Sequence, residues 1–238
     1  MRVLVVENMA GSDLGLVGVA LSEANIEIDL RQPFSGDSLP DGHDEHDAIV
    51  VLGGGQSALD DHTHPYLPDL AALMRSFGDA DKSVLGICLG SQLLARGYGA
   101  SNILGAAREF GWHEVRLTDE ATNDPMLGGI SAIFPIFEWH SDTFTLPDGA
   151  AHLATNGTTS HQAFRMGRAA YGTQFHFEAS TAVVEDWNQN FATVIDGIDP
   201  TWLARYPDHA AKHAETADAA GLAIARAWVR TIEPSARE

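Results

Sequence analysis

Short apolar runs alternate with stretches of helical period over the first hundred residues. Val3–Val6 is the first apolar run. Asp13 then stands as an N-cap before Leu14, Val17 and Leu21, which share one helical face, with the helix ending near Asn25. "IEIDL" (26–30) predicts a second strand, and the Pro- and Gly-bearing stretch 33–47 predicts a surface loop. "AIVVL" (48–52) is apolar throughout, the pattern of a central parallel strand covered on both faces. Pro68 opens a helix that carries Leu70, Leu73, Met74 and Phe77 and closes at Gly78. "SVLGI" (83–87) is another apolar strand, and "LGSQLLARGYG" a short helix.

From about 112 to 178 the pattern changes. "WHEVRLT", "FPIFEWH", "AHLAT", "HQAFRM" and "AAYGTQFHF" are short strand-like pieces separated by turns, which predicts an antiparallel addition to the sheet. After Glu178 the period is helical again, and Ala217, Gly221, Ile224, Trp228 and Ile232 fall on one face. The alternation predicts an α/β fold: an open, mostly parallel central sheet with helices on both faces and an antiparallel portion. No repeat or linker interrupts 1–238, so one domain is expected, with 180–238 as a C-terminal helical segment.

Composition narrows the function classes. The chain has 238 residues, 45% of them hydrophobic, enough for a substantial core. Its 14 Lys+Arg against 33 Asp+Glu give a net charge of −19, which disfavours nucleic acid and anionic membranes as partners. The N-terminal apolar run is too short for a signal peptide, and no stretch is long enough to span a bilayer. A single cysteine forms no internal disulfide, which fits a reducing, cytoplasmic setting.

That cysteine, Cys88, lies in "GICLGSQ", where a strand pattern turns into a helix pattern. A nucleophile projected from such a turn occupies a strained backbone, and its neighbours two residues away must be small, as Gly86 and Gly90 are. The helix N-terminus favours the thiolate. A thiol nucleophile needs a base and the base an orienting group; His176 and Glu178 in "TQFHFE" stand at i and i+2 on a strand-like run, so they face the same way. Gly53, Gly54 and Gly55 close the central apolar strand, where a backbone N–H can turn toward developing negative charge. There is no G-x-G-x-x-G and no P-loop lysine, so no nucleotide cofactor is implied.

A Gly-rich strand end, then G-x-C-x-G-x-Q, then Q-F-H-x-E, in this order, resembles the class I (triad-type) glutamine amidotransferases. "EWHSDTF" (138–144) is similar to the substrate-side segment of their GMP-synthase-like branch. The motifs span 53–178. The resemblance implies a flavodoxin-like sheet and a Cys88–His176–Glu178 triad. It implies an oxyanion hole from the N–H groups of Gly54 and Leu89, and a glutamine site involving Gly55, Gln92, Ser141 and Asp142. Cys88 would form a γ-glutamyl thioester with glutamine and release ammonia for a separate synthetase. Two departures stand out: Phe177 and Gly55 occupy positions where the family usually has proline, which predicts two less rigid loops.

The His- and Asp-rich stretches 41–47 and 60–64 are expected to be solvated loops rather than metal sites, the second near the active-site mouth. Trp139 is expected to line the pocket. Beside the ammonia-supplying reading stand a γ-glutamyl hydrolase or peptidase acting on another γ-glutamyl amide, and a regulatory module of the same fold without turnover. The intact Cys88, His176 and Glu178 speak against the last.

Overall fold

The computed structural model describes residues 1–234. In chain order the elements are β1 (Arg2–Val6), α1 (Gly15–Glu23), β2 (Glu27–Arg31), β3 (Ala48–Val51), α2 (Leu67–Asp79), β4 (Ser83–Ile87), α3 (Leu89–Gly97), β5 (Asn102–Ile103), β6 (Glu109–Leu117), β7 (Ile133–His140), β8 (Thr143–Phe144), β9 (Ala151–Thr155), β10 (Ala163–Met166), β11 (Ala170–Thr173), α4 (Thr181–Asn190), α5 (Ala192–Ile198) and α6 (Trp202–Val229). Nine strands form one sheet in the order β2-β1-β3-β4-β11-β10-β9-β6-β7. The first five are mutually parallel and the rest antiparallel. The expected mixed sheet is therefore present, with β11 joining its two halves.

The continuously apolar runs became the central strands. Every residue of β3 and β4 is buried, because helices cover both faces there. One apolar layer joins Val3, Val5, Val50 and Leu85 to α1, α4 and α6. The other joins Leu4, Val6, Ile49, Val51 and Val84 to α2 and α3. The face read from Ala217 to Trp228 lies inward on α6, as its spacing required. Pro135 falls within β7, the terminal strand, where a missing N–H interrupts no second ladder.

Two local expectations need correction. Asp13 stands one residue ahead of the N-cap position, and its Oδ1 accepts from Gly15 N at 2.6 Å. The loop 41–47 is not wholly solvated. His46 and Asp47 are buried; His46 Nε2 lies 2.9 Å from Asp29 Oδ2, and Asp47 Oδ2 accepts from Arg2 N at 2.7 Å. The loop is fastened by polar bonds to β1 and β2, which an apolar periodicity cannot reveal. No helix among the described residues is long and apolar enough to cross a membrane.

Candidate active site

The carboxyl ends of β3, β4 and β11 lie side by side, because β4 pairs in parallel with both neighbours. Open α/β sheets bind ligands at such ends. Three loops leave from there: Gly53–Gly55 after β3, Cys88 after β4, and 174–178 after β11.

Cys88 has φ +52° and ψ −107°, a conformation that L side chains rarely adopt and that costs on the order of 1–3 kcal/mol. It is held by Cys88 N donating to Thr173 O at 2.8 Å and by the packing of the elbow glycines. A Cβ on Gly86 would lie 2.4 Å from Gly90 O, and one on Gly90 would lie 2.1 Å from Val51 O. Both contacts are with backbone, so neither position accepts a side chain without the strands moving.

The chain from Gln174 to Glu178 continues β11 outward, and His176 N donates to Phe137 O at 2.8 Å. His176 Nδ1 lies 2.6 Å from Glu178 Oε1, both side chains being buried. His176 and Cys88 both flank Gly53: a Cβ on Gly53 would sit 3.1 Å from His176 Cε1 and 3.6 Å from Cys88 Cβ. Burial opposes a charged His176, but Glu178 and Cys88 outweigh it and hold the imidazole well above its ordinary pKa. The edge-to-face approach of Trp187, 5.3 Å between ring centres, fixes the imidazole plane.

The expected looseness at Phe177 is not found. Phe177 is fully buried, and the backbone around it is clamped from two sides. Leu16 N, at the start of α1, donates to Glu178 O at 2.9 Å. Gly221 of α6 packs so closely that a Cβ there would lie 2.3 Å from Phe177 O. Packing does here what a proline would do by covalent geometry.

Gly54, Gly55, Leu89, Gln92, Ser141 and Asp142 all line one cavity of about 330 Å³ together with Cys88. Among the described residues, neither Gly54 N nor Leu89 N donates to a protein acceptor. Gln92 Nε2 bonds inward, to Asp142 O and Gln174 Oε1, each at 3.3 Å. Asp142 Oδ1 accepts from Gly105 N at 2.8 Å, so this side chain shapes a loop as well as lining the cavity. Trp139 lines the cavity as expected, and its carbonyl oxygen accepts from the Cys88 thiol at 3.7 Å. Of the stretch 60–64, no residue lines this cavity; Asp61 instead makes a bidentate pair with Arg96 at the end of α3.

Sequence reasoning passed over three contributors. Arg108, exposed on the cavity rim, is the one guanidinium among the lining residues. His140 lies in the quoted "EWHSDTF" beside Ser141, and Glu109 stands opposite it in the β6–β7 register. His140 Nδ1 faces Asp142 O at 3.0 Å, while Nε2 faces Glu109 Oε2 at 3.2 Å and Glu138 Oε2 at 3.3 Å. Asp142 O accepts from one ring nitrogen, and the two carboxyl groups at the other favour a second proton on the ring. Burial opposes the charge, but the two carboxylates prevail, and the His140 pKa is pushed up to about 10. Glu138, wholly buried, is pushed above the usual carboxylate range by desolvation. For Glu109 burial also acts upward, but bonds from His140, Thr159 and Asn156 win and lower it.

Three acidic and imidazole ligands in one place invite a metal reading. Glu109, however, already accepts from Asn156 Nδ2 at 2.7 Å, Thr159 Oγ1 at 2.5 Å and Gln162 Nε2 at 3.0 Å. Its lone pairs are spent on protein donors, and the group fits a buried ion cluster that props the cavity floor.

A second cavity, of about 530 Å³, meets the first at Cys88 and is bordered by His176. Residues 17–191 match the family "Glutamine amidotransferase class-I". The chain is 32% identical over 161 residues to the glutamine amidotransferase-like protein YfeJ of Salmonella typhimurium, covering 66% of this chain and 67% of that one. It is 31% identical over 199 residues to the glutamine-hydrolysing GMP synthase subunit of Natronomonas pharaonis, covering 82% and 98% respectively. A crystal structure of a glutamine amidotransferase from Thermotoga maritima superposes with a TM-score of 0.85 at 28% identity, over 98% of this chain and 99% of that one. A strained cysteine elbow at the carboxyl ends of a parallel sheet, matched over three-quarters of its length by one family, places the chain among the class I glutamine amidotransferases.

Proposed function

We propose that Cys88 hydrolyses the side-chain amide of glutamine through a γ-glutamyl thioester. The observation that carries this reading is the placement of a thiol on a positive-φ elbow, across Gly53 from an imidazole that Glu178 holds at 2.6 Å. The Cys88 thiolate attacks the amide carbon, and the oxygen gains negative charge between the N–H groups of Gly54 and Leu89. Each such donor contributes on the order of 2.7–4 kcal/mol to transition-state stabilisation. His176 protonates the departing nitrogen as the C–N bond breaks, then takes a proton from the water that cleaves the thioester. Glu178 fixes the tautomer and stabilises the imidazolium. Gly55, Gln92, Ser141 and Asp142 position the amino-acid end, with Arg108 supplying a cation for its carboxylate.

The likeness to a subunit of a glutamine-hydrolysing synthase in N. pharaonis supports a role in which ammonia passes to a separate synthetase. Purified protein incubated with glutamine is expected to release ammonia and glutamate in equal amounts, and Cys88→Ala to release neither. Undiminished ammonia release by that variant refutes the mechanism.

A further inference from the structure

The two cavities that meet at Cys88 differ in chemistry. The first gathers Gln92, Arg108 and Asp142, groups suited to an α-amino acid end. The second adds Met9, Trp187, Phe191 and Val194 to Trp139 and Ile198, which border both cavities, and it alone includes His176. Trp187 donates its indole N–H to Gly11 O, itself on the cavity wall, at 3.3 Å, so that donor is satisfied within the protein. Trp139 packs edge-to-face on both Trp187 and Phe191, which makes this wall one rigid aromatic surface.

His176 is the proton donor to the departing nitrogen, so whatever leaves with that nitrogen enters the second cavity. Ammonia is the size of water, whose share of liquid volume is about 30 Å³. A chamber of about 530 Å³ is more than ten times larger, and most of its wall is aromatic or aliphatic, with Ser12, Ser141 and glycine backbone supplying its polar atoms. Part of that wall, Val194 and Ile198 on α5, also lies beyond residue 191, where the family match ends.

We propose that the second cavity seats an apolar, aromatic-sized substituent on the departing amine, so that the substrate class is a γ-glutamyl amide of such an amine. This rests on the Cys88 thioester reading and alters only what leaves with the nitrogen. The S–C bond to the γ-carbonyl carbon forms as the C–N bond breaks, and the amine R–NH2 departs with a proton from His176. Water then adds to the thioester, gives a proton back to His176, and releases glutamate and the Cys88 thiolate. The sum is γ-glutamyl–NHR plus water giving glutamate plus R–NH2, with no oxidant or reductant.

The test compares kcat/KM of the full chain on glutamine, γ-glutamyl methylamide and γ-glutamyl benzylamide, whose leaving amines are unactivated. The benzylamide is expected to exceed the methylamide on the order of tenfold or more, from the apolar area its ring buries. Val194 is 54% exposed, so Val194→Glu leaves the core untouched, and it is expected to erase most of that preference. A benzylamide turned over no faster than the methylamide, or a preference that Val194→Glu leaves intact, overturns the proposal. If glutamine is then still hydrolysed in a Cys88-dependent way, the thioester reading survives; if none of the three is hydrolysed, both fall.

Discussion

Replacing His140 with Gln removes the imidazolium while keeping an amide donor beside Glu109, and the effect on stability depends on pH. The groups facing His140 are Glu109 from β6, Glu138 on its own strand, the carbonyl of Asp142, and Cys88 across the cavity. His113 approaches the same Glu109 at 3.8 Å but is partly exposed. The folded-state pKa of His140 is raised to about 10. A raised pKa means stability that is fully present below the unfolded value of about 6.5 and lost as pH climbs through the folded one. At about 1.36 kcal/mol per pH unit, the loss between pH 6.5 and 10 is on the order of 2–5 kcal/mol. Urea denaturation of wild type and His140→Gln at pH 6.5, 8 and 9.5 reads out His140 together with the coupled Glu109 and Glu138, because the titrations of distant groups enter both curves. The gap between the two proteins is expected to be widest at pH 6.5 and to close steadily toward pH 9.5. A gap that stays constant to within about 0.5 kcal/mol would refute the imidazolium assignment.

Other perturbations test separate parts of the site. Glu178→Gln keeps the shape but removes the charge that fixes the His176 tautomer, so kcat should fall on the order of 10²–10⁴-fold with KM little changed. Arg108→Met should do the reverse, raising KM for γ-glutamyl substrates about tenfold at nearly constant kcat, since it removes one exposed carboxylate partner. Gly90→Ala forces a methyl to within 2.1 Å of Val51 O. It should cost roughly 3 kcal/mol or more, read as a fall in Tm of about 2–4 °C per kcal/mol; an unchanged Tm would contradict the close strand–helix contact.

Much of this was legible in the sequence because it depends on local rules. Strands β3 and β4 are buried on both faces, so their residues are apolar without alternation, and the elbow announces itself through Gly86 and Gly90. His176 and Glu178 are close in sequence and share a face, so their partnership could be read directly. What escaped is set by pairings across the chain. Glu109 meets His140 only because β6 and β7 run antiparallel in one register. Nothing local to either residue reports it. His46 likewise looked like one more polar residue in a polar loop, and its burial against Asp29 depends on where β2 lies. The wall of the second cavity combines Met9 near the first strand with Trp187 and Val194 far downstream, a combination with no signature of its own. Phe177 misled in the other direction, since a missing proline signals slack only if nothing else grips the segment.

That grip has a temporal side. The backbone at Phe177 is pressed against Gly221, and the start of α4 is tied to the same helix by Thr181 Oγ1 donating to Asp218 Oδ2 at 2.7 Å. The elbow, the imidazole and its carboxylate all leave the ribosome well before α6 does. Until that last helix docks, the segment carrying His176 and Glu178 lacks its outer support, and the thiol has no aligned base. On the proposed triad, Cys88 would gain an aligned base only once α6 has docked.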